Sequence, residues 1–222
     1  MDRRQFLTSL TSSTPCSVSA SLGPEYFTNA VFRTHENKEV RFYDDLIKDK
    51  HVVINFMYAR CEGSCPITTA NLVKAQEALK KRVGKDIFMY SITVKPEEDD
   101  PAALHHYAKM HSVKPGWLFL TGSRYDTDTL RLRLLAERHP AIDLDVTQHT
   151  GMLRVINDSI NRWFMCPAQA SVETVVQAIR WCDLPKPLNV RMRENAIAQA
   201  KINQMESQGQ MLPTWLNSLK ES

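Results

Sequence analysis

Long apolar runs are missing from this 222-residue chain: no stretch approaches the ~18 consecutive apolar residues of a membrane-spanning helix. Glycine is scarce, with only 7 residues, and this excludes collagen-like and glycine-rich low-complexity architectures. Five cysteines are too few for a disulfide-dense mini-scaffold of this length. An excess of either charge is also lacking, since 28 Lys+Arg against 25 Asp+Glu leave a formal +3. That surplus is too small and too scattered for a nucleic-acid footprint. Neither an internal repeat nor a low-complexity segment is found. What remains, at 43% hydrophobic and 24% charged, is an ordinary folded protein with one sizeable core plus tails.

Arg3-Arg4-Gln5-Phe6-Leu7 has the form of a twin-arginine export signal, with paired arginines followed by a polar residue, Phe and Leu. Val18-Ser19-Ala20 offers small residues for a signal peptidase, and cleavage there would also remove Cys16. Residues 1–20 are therefore expected to be a signal, which places the mature protein in the periplasm or on the outer face of the inner membrane. Against this, Gln5 to Ser17 is rich in Ser and Thr and forms a poor hydrophobic region, so a disordered starter segment is the alternative.

From there the chain alternates. Ala30–Arg33 and Val40–Tyr43 flank the polar turn His35–Lys38 as a hairpin. His51–Tyr58 is the continuous apolar, β-branched run of a strand covered on both faces. Cys61-Glu62-Gly63-Ser64-Cys65-Pro66 follows, then apolar residues at helical spacing through Leu72, Ala75, Ala78 and Leu79. Further strands are expected near Ile87–Val94 and Gly116–Leu120, with helices near Pro101–His111 and Asp126–Glu137. A last hairpin, Gly151–Ile156 and Ser159–Phe164 about Asn157-Asp158, precedes a helix from about Ala170 to Trp181. This order predicts an α/β sheet resembling a thioredoxin-like fold with an N-terminal hairpin and an inserted helix. That domain covers 25–183. Leu184-Pro185-Lys186-Pro187 then breaks the last helix, and 184–222 reads as a helical tail whose polar helix spans Val190 to Met205.

Cys61 and Cys65 stand four apart at the mouth of a helix, where unpaired amides and the helix dipole favour thiolate and hence metal binding or disulfide chemistry. Three residues separate them, whereas dithiol oxidoreductases of this fold use two. Such enzymes also place a cis proline before the final hairpin. Here the equivalent stretch is Val146-Thr147-Gln148-His149-Thr150-Gly151, and a histidine stands there instead. Two thiolates and one imidazole make a Cys₂His donor set, soft enough for Cu(I) and able to hold Cu(II) with an added oxygen or water ligand. Zinc would ask for a fourth protein ligand.

With these residues in view, the chain resembles the Sco/SenC family of copper-binding assembly factors for cytochrome oxidase. The resemblance runs from about Tyr26 to Pro185 and rests on the strand with Cys61-x-x-x-Cys65-Pro66, on Pro115 to Gly122, and on His149. It implies Cys61, Cys65 and His149 as copper ligands, copper as Cu(I) or Cu(II), and a respiratory copper enzyme subunit as client. An upstream copper donor and peripheral membrane association are further expectations. Some relatives are assigned instead to thiol reduction of the client's copper centre, or to copper supply for nitrous oxide reductase. The family's Asp-Pro-Glu-x-Asp segment is here Lys95-Pro96-Glu97-Glu98-Asp99. If the first acid normally lies near the metal loop, Lys95 shifts the local field toward thiolate and away from a bound cation.

Two functions follow. The first is a metallochaperone without catalytic turnover; the second is a thiol-disulfide oxidoreductase in which Cys61 and Cys65 cycle. A peroxidase ranks third, because no activating Thr and Arg stand beside a peroxidatic cysteine. Cys166 and Cys182, at opposite ends of the last helix, are expected in the core without a mutual disulfide. His105, His106 and His111 are expected to be solvated rather than a second metal site. Met57, Met89 and Met152 fit apolar strand positions rather than a copper array.

Overall fold

The computed structural model describes residues 24–136 and 151–183, together with Ala196, Gln199, Ala200, Asn203, Gln204 and Ser207. Residues 1–23, with Arg3, Arg4 and Cys16, lie outside the described residues, and so does His149. The chain divides into two compact units, Met1–Asp183 and Leu184–Ser222. Within the second, the described residues of the expected 190–205 helix are helical.

The first unit is built on a seven-stranded sheet of order β2-β1-β5-β4-β3-β6-β7. Its strands are β1 (Val31–Thr34), β2 (Glu39–Arg41), β3 (His51–Met57), β4 (Ile87–Thr93), β5 (Trp117–Thr121), β6 (Met152–Asn157) and β7 (Arg162–Pro167). β3, β4 and β5 are parallel, while the hairpins β1–β2 and β6–β7 join antiparallel on either side. Helix α1 (Pro24–Phe27) leads in, α2 (Ser64–Leu79) links β3 to β4, and α3 (Pro101–Met110) links β4 to β5. α4 (Arg124–Arg131) follows β5, and α5 (Val172–Trp181) follows β7.

All seven residues of β3 are buried, because both faces of the sheet are covered. Val53 and Met57 face one apolar cluster with Leu72, Met89, Trp117 and Ile179. Val52, Ile54 and Phe56 face the other, with Phe32, Phe42, Tyr90 and Leu134. β3 is thereby a fixed platform, and whatever follows Met57 is held at its carboxyl end.

The helices start where local chemistry allows. Asp100 and Ser123 cap α3 and α4 by accepting the Ala103 and Asp126 N–H groups, and Ser171 caps α5 by accepting that of Thr174. One close approach demands glycine: a Cβ on Gly116, at φ +92°, would stand 2.4 Å from Gly84 N. Beyond α5, Asp183 takes a bidentate bond from Arg82 at 2.9 and 2.7 Å, which ties the end of this unit to the turn after α2.

Three boundaries differ from expectation. The first hairpin ends at Arg41, since Phe42 and Tyr43 open a π-helix, Phe42–Ile47, that buries Phe42, Tyr43, Leu46 and Ile47 together. A strand would have sent neighbours Phe42 and Tyr43 to opposite faces. The last hairpin turns through a 3₁₀ segment, Asp158–Ile160, and not through Asn157-Asp158. Asn157 stays in β6 because its side chain is buried and donates to the Cys182 carbonyl at 2.7 Å. α4 passes into a π-helix over Leu132–Ala136.

Candidate metal centre

The centre begins where the polypeptide leaves the sheet. Val94 N donates to Met57 O at 2.8 Å, the last backbone bond between the β3 and β4 lines, and residues 58–63 then cross to α2. Cys61 precedes the helix and Cys65 is its second residue, so helical geometry alone does not set their separation. The loop brings them together: Cys61 and Cys65 share a side-chain hydrogen bond, and both are thiols outside any disulfide, 7% and 2% exposed. Gly63, the N-cap, leaves room for the Cys61 sulfur, which would lie 3.8 Å from a Cβ there. Pro66 is the third helical residue, where the missing N–H costs nothing.

Burial reverses one expectation. The helix terminus was expected to favour thiolate, yet the Cys65 thiol is pushed up to about 12, first by desolvation. The Tyr58 backbone amide pulls the other way, while the neighbouring Cys61 and the charge of Asp99 add to the rise. A helix dipole offers about 0.3–1 kcal/mol at an exposed terminus, and removing a thiolate from water costs more. In the metal-free protein Cys65 is therefore a neutral thiol.

The surroundings are specific. The Tyr58 hydroxyl hydrogen-bonds Cys61, which together with burial pushes that phenol up. Lys95 lies with Nζ 4.6 Å above the Tyr58 ring and 3.2 Å from Glu98, so its charge is shared between a π face and a carboxylate. Tyr107, buried on α3, bonds Thr69 at 2.9 Å. Asp99, missed in the sequence although it closes the Lys95–Asp99 segment, is 1% exposed and accepts from Ala59 N.

Beside Cys65 lies a cleft of about 10 Å³, lined among others by Asn55, Ser64, Thr68, Gly151 and Met152. That is about the room one water takes. Gly151, where the described chain resumes two residues after His149, is thus at the Cys65 cleft.

Cys166, on β7, and Cys182, the C-cap of α5, are free and buried. Cys166 sits in the strand, not at the start of α5. His105 and His106 are exposed, whereas His111, expected to be solvated, is half-buried, its ring tilted at 45° against that of Tyr107 at 4.4 Å. The His105 ring is 5.9 Å from that of His35. His35 Nδ1, however, accepts the Phe119 N–H at 3.1 Å, which leaves the proton on Nε2 and makes that atom a donor, not a ligand. Among the described residues no three His, Cys, Asp or Glu side chains cluster to hold a metal. None of the described helices is long and apolar enough to cross a membrane.

Comparison with known proteins gives this geometry a context. The sequence model of the SCO1/SenC family matches residues 22–182. A SCO1 protein homolog from Bacillus subtilis (strain 168) is 30% identical over 92 residues, 41% of this chain and 46% of that relative, so the match spans about half the relative's length. Among solved structures, BsSco, a member of the Sco family of cytochrome c oxidase assembly proteins in which a disulfide switch was identified, is similar at TM-score 0.56 and 21% identity, covering 68% of this chain and 90% of that one. Bradyrhizobium japonicum ScoI with copper bound is similar at TM-score 0.55 and 22% identity, covering 69% and 97%. These likenesses show the thioredoxin-like fold.

Proposed function

The chain belongs to the SCO1/SenC family, and on that premise we propose that it is a copper metallochaperone delivering copper to a respiratory enzyme centre, the dinuclear copper site of cytochrome oxidase or a similar one. Copper is cargo here, carried as Cu(I) or Cu(II) by Cys61, Cys65 and His149. One observation carries this reading: Cys61 and Cys65 are buried and hydrogen-bonded to each other, and Cys65 lines a cleft with room for one water. A pair so enclosed suits a soft ion better than a small-molecule substrate. Gly151 at the same cleft supports His149, two residues earlier, as the third ligand. Copper bound in Bradyrhizobium japonicum ScoI supports the choice of metal.

In this reading the chain supplies soft donors, shields them from water and gives up the Cys65 proton when the ion enters. Residues 25–183 form the copper-binding domain, and 184–222 is an appended tail. Arg3-Arg4 directs export to the periplasm or the outer face of the inner membrane; with both changed to lysine, the precursor should stay in the cytoplasm, and unchanged periplasmic accumulation would remove the motif from the reading.

The second reading, a thiol-disulfide oxidoreductase that keeps the client's copper-ligand cysteines reduced, is favoured by the hydrogen bond between Cys61 and Cys65. His149→Ala separates the two. Two thiolates can still hold Cu(I) linearly, but the higher-coordinate Cu(II) site needs the imidazole, so the thiolate-to-copper absorption band and the Cu(II) paramagnetic signal should be lost. Reaction of Cys61 and Cys65 with a disulfide reagent should persist. If the variant keeps both copper signals, or wild type shows neither, the oxidoreductase reading replaces this one.

A further inference from the structure

Beyond Met57 the metal loop leaves the sheet, and the Ala59 N–H has no ladder partner there. Asp99 supplies one from 40 residues away: Oδ2 accepts the Ala59 N–H at 2.9 Å and the Thr93 hydroxyl at 2.5 Å. Thr93 Oγ1 in turn accepts the Lys95 N–H at 3.0 Å, and the Asp99 N–H donates to Lys95 O at 3.0 Å. The carboxylate is 1% exposed and Thr93 is fully buried, so one oxygen of Asp99 clamps the metal loop to the end of β4. Ala59 lies two residues before Cys61, whose own N–H bonds back to Tyr58 O at 3.3 Å. Movement at Ala59 therefore carries Cys61 away from Cys65, which is fixed in α2.

We infer that Asp99 is the positioning residue of the dithiol: it acts through Ala59 to set where Cys61 stands relative to Cys65. The inference deepens the metal reading, since a preset sulfur pair lowers the reorganisation needed when an ion enters. It also applies without metal. Two thiols and one glutathione disulfide give the Cys61–Cys65 disulfide and two glutathiones, and that closure needs the same approach of the sulfurs.

The test compares Asp99→Ala with Asp99→Asn in the full reduced chain by two metal-free measurements: hydrogen exchange of the Ala59 amide, and the disulfide-to-dithiol ratio in a fixed glutathione buffer. Asp99→Ala should speed Ala59 exchange about ten- to a hundredfold, as the loss of one charge-assisted hydrogen bond requires, and should lower the disulfide ratio. Asn keeps a carbonyl oxygen that can accept both bonds, so Asp99→Asn should restore both values. Wild-type behaviour of Asp99→Ala overturns the inference; so does equal loss in both variants, which would make the charge and not the clamp responsible. If Asp99→Ala does not fold, Thr93→Val carries the test: with the orienting hydroxyl gone and the volume kept, Ala59 exchange should rise at least about threefold, and no change overturns the inference. A wild type that binds no copper would end the metal reading while leaving both measurements of Asp99 intact.

Discussion

Iodoacetamide reacts with thiolates, so the rate of Cys65 alkylation reports how much of that side chain is deprotonated. The Cys65 thiol is raised from the ordinary 9.0 to about 12, with burial as the first cause. At pH 7 that lowers the thiolate population about a thousandfold relative to the unfolded chain, a difference of about 4 kcal/mol. Peptide-resolved mass spectrometry should therefore show Cys65 of the folded, metal-free protein alkylated at least about a thousandfold more slowly than in urea at the same pH. Its log rate should rise by one per pH unit to about pH 11, where an ordinary thiol levels off near 9. The same shift acts on stability. A group whose folded value is raised contributes fully below the unfolded value, here 9.0, and that contribution is lost as pH climbs through about 12. Urea midpoints should accordingly fall on the alkaline side. Copper loading at pH 7 should release the Cys65 proton, measurable by titration in weak buffer. A rate profile that levels off at or below pH 8 would refute the reasoning, because it would mean that the helix terminus outweighs desolvation.

Lys95→Asp should tighten Cu(II) binding by a modest factor, seen in competition with a chelator, since it removes the cation above the Tyr58 ring that bonds Cys61; identical affinity in both proteins would place Lys95 outside the site's field. Gly116→Ala forces a Cβ to within 2.4 Å of Gly84 N at φ +92°. It should cost about 3 kcal/mol or more, lowering the urea midpoint by about 1 M or more, and an unchanged midpoint would mean that this backbone contact yields freely.

What the sequence determined by itself was local. The apolar run of β3, the helical spacing after Pro66 and the strand-helix alternation are periodic signals that a few neighbouring residues suffice to fix, and they put Cys61 and Cys65 at a strand-to-helix junction. Phe42, Tyr43, Leu46 and Ile47 were just as visible, but a short apolar run can be read as strand or helix, and only their shared burial in one cluster chose the helix. The acidity of Cys65 could not be read from its neighbours. The helix terminus that favours thiolate is local, whereas the desolvation that overrides it comes from packing among residues as distant in sequence as Tyr107 and Val176. Asp99 shows the same division. It stood in plain sight beside Lys95, but its meaning is a bond to an amide 40 residues away, and that pairing exists only once β3 and β4 lie side by side. Pattern and chain direction act over a few residues, while dielectric environment and hydrogen-bond partnership are set by which segments the topology brings together.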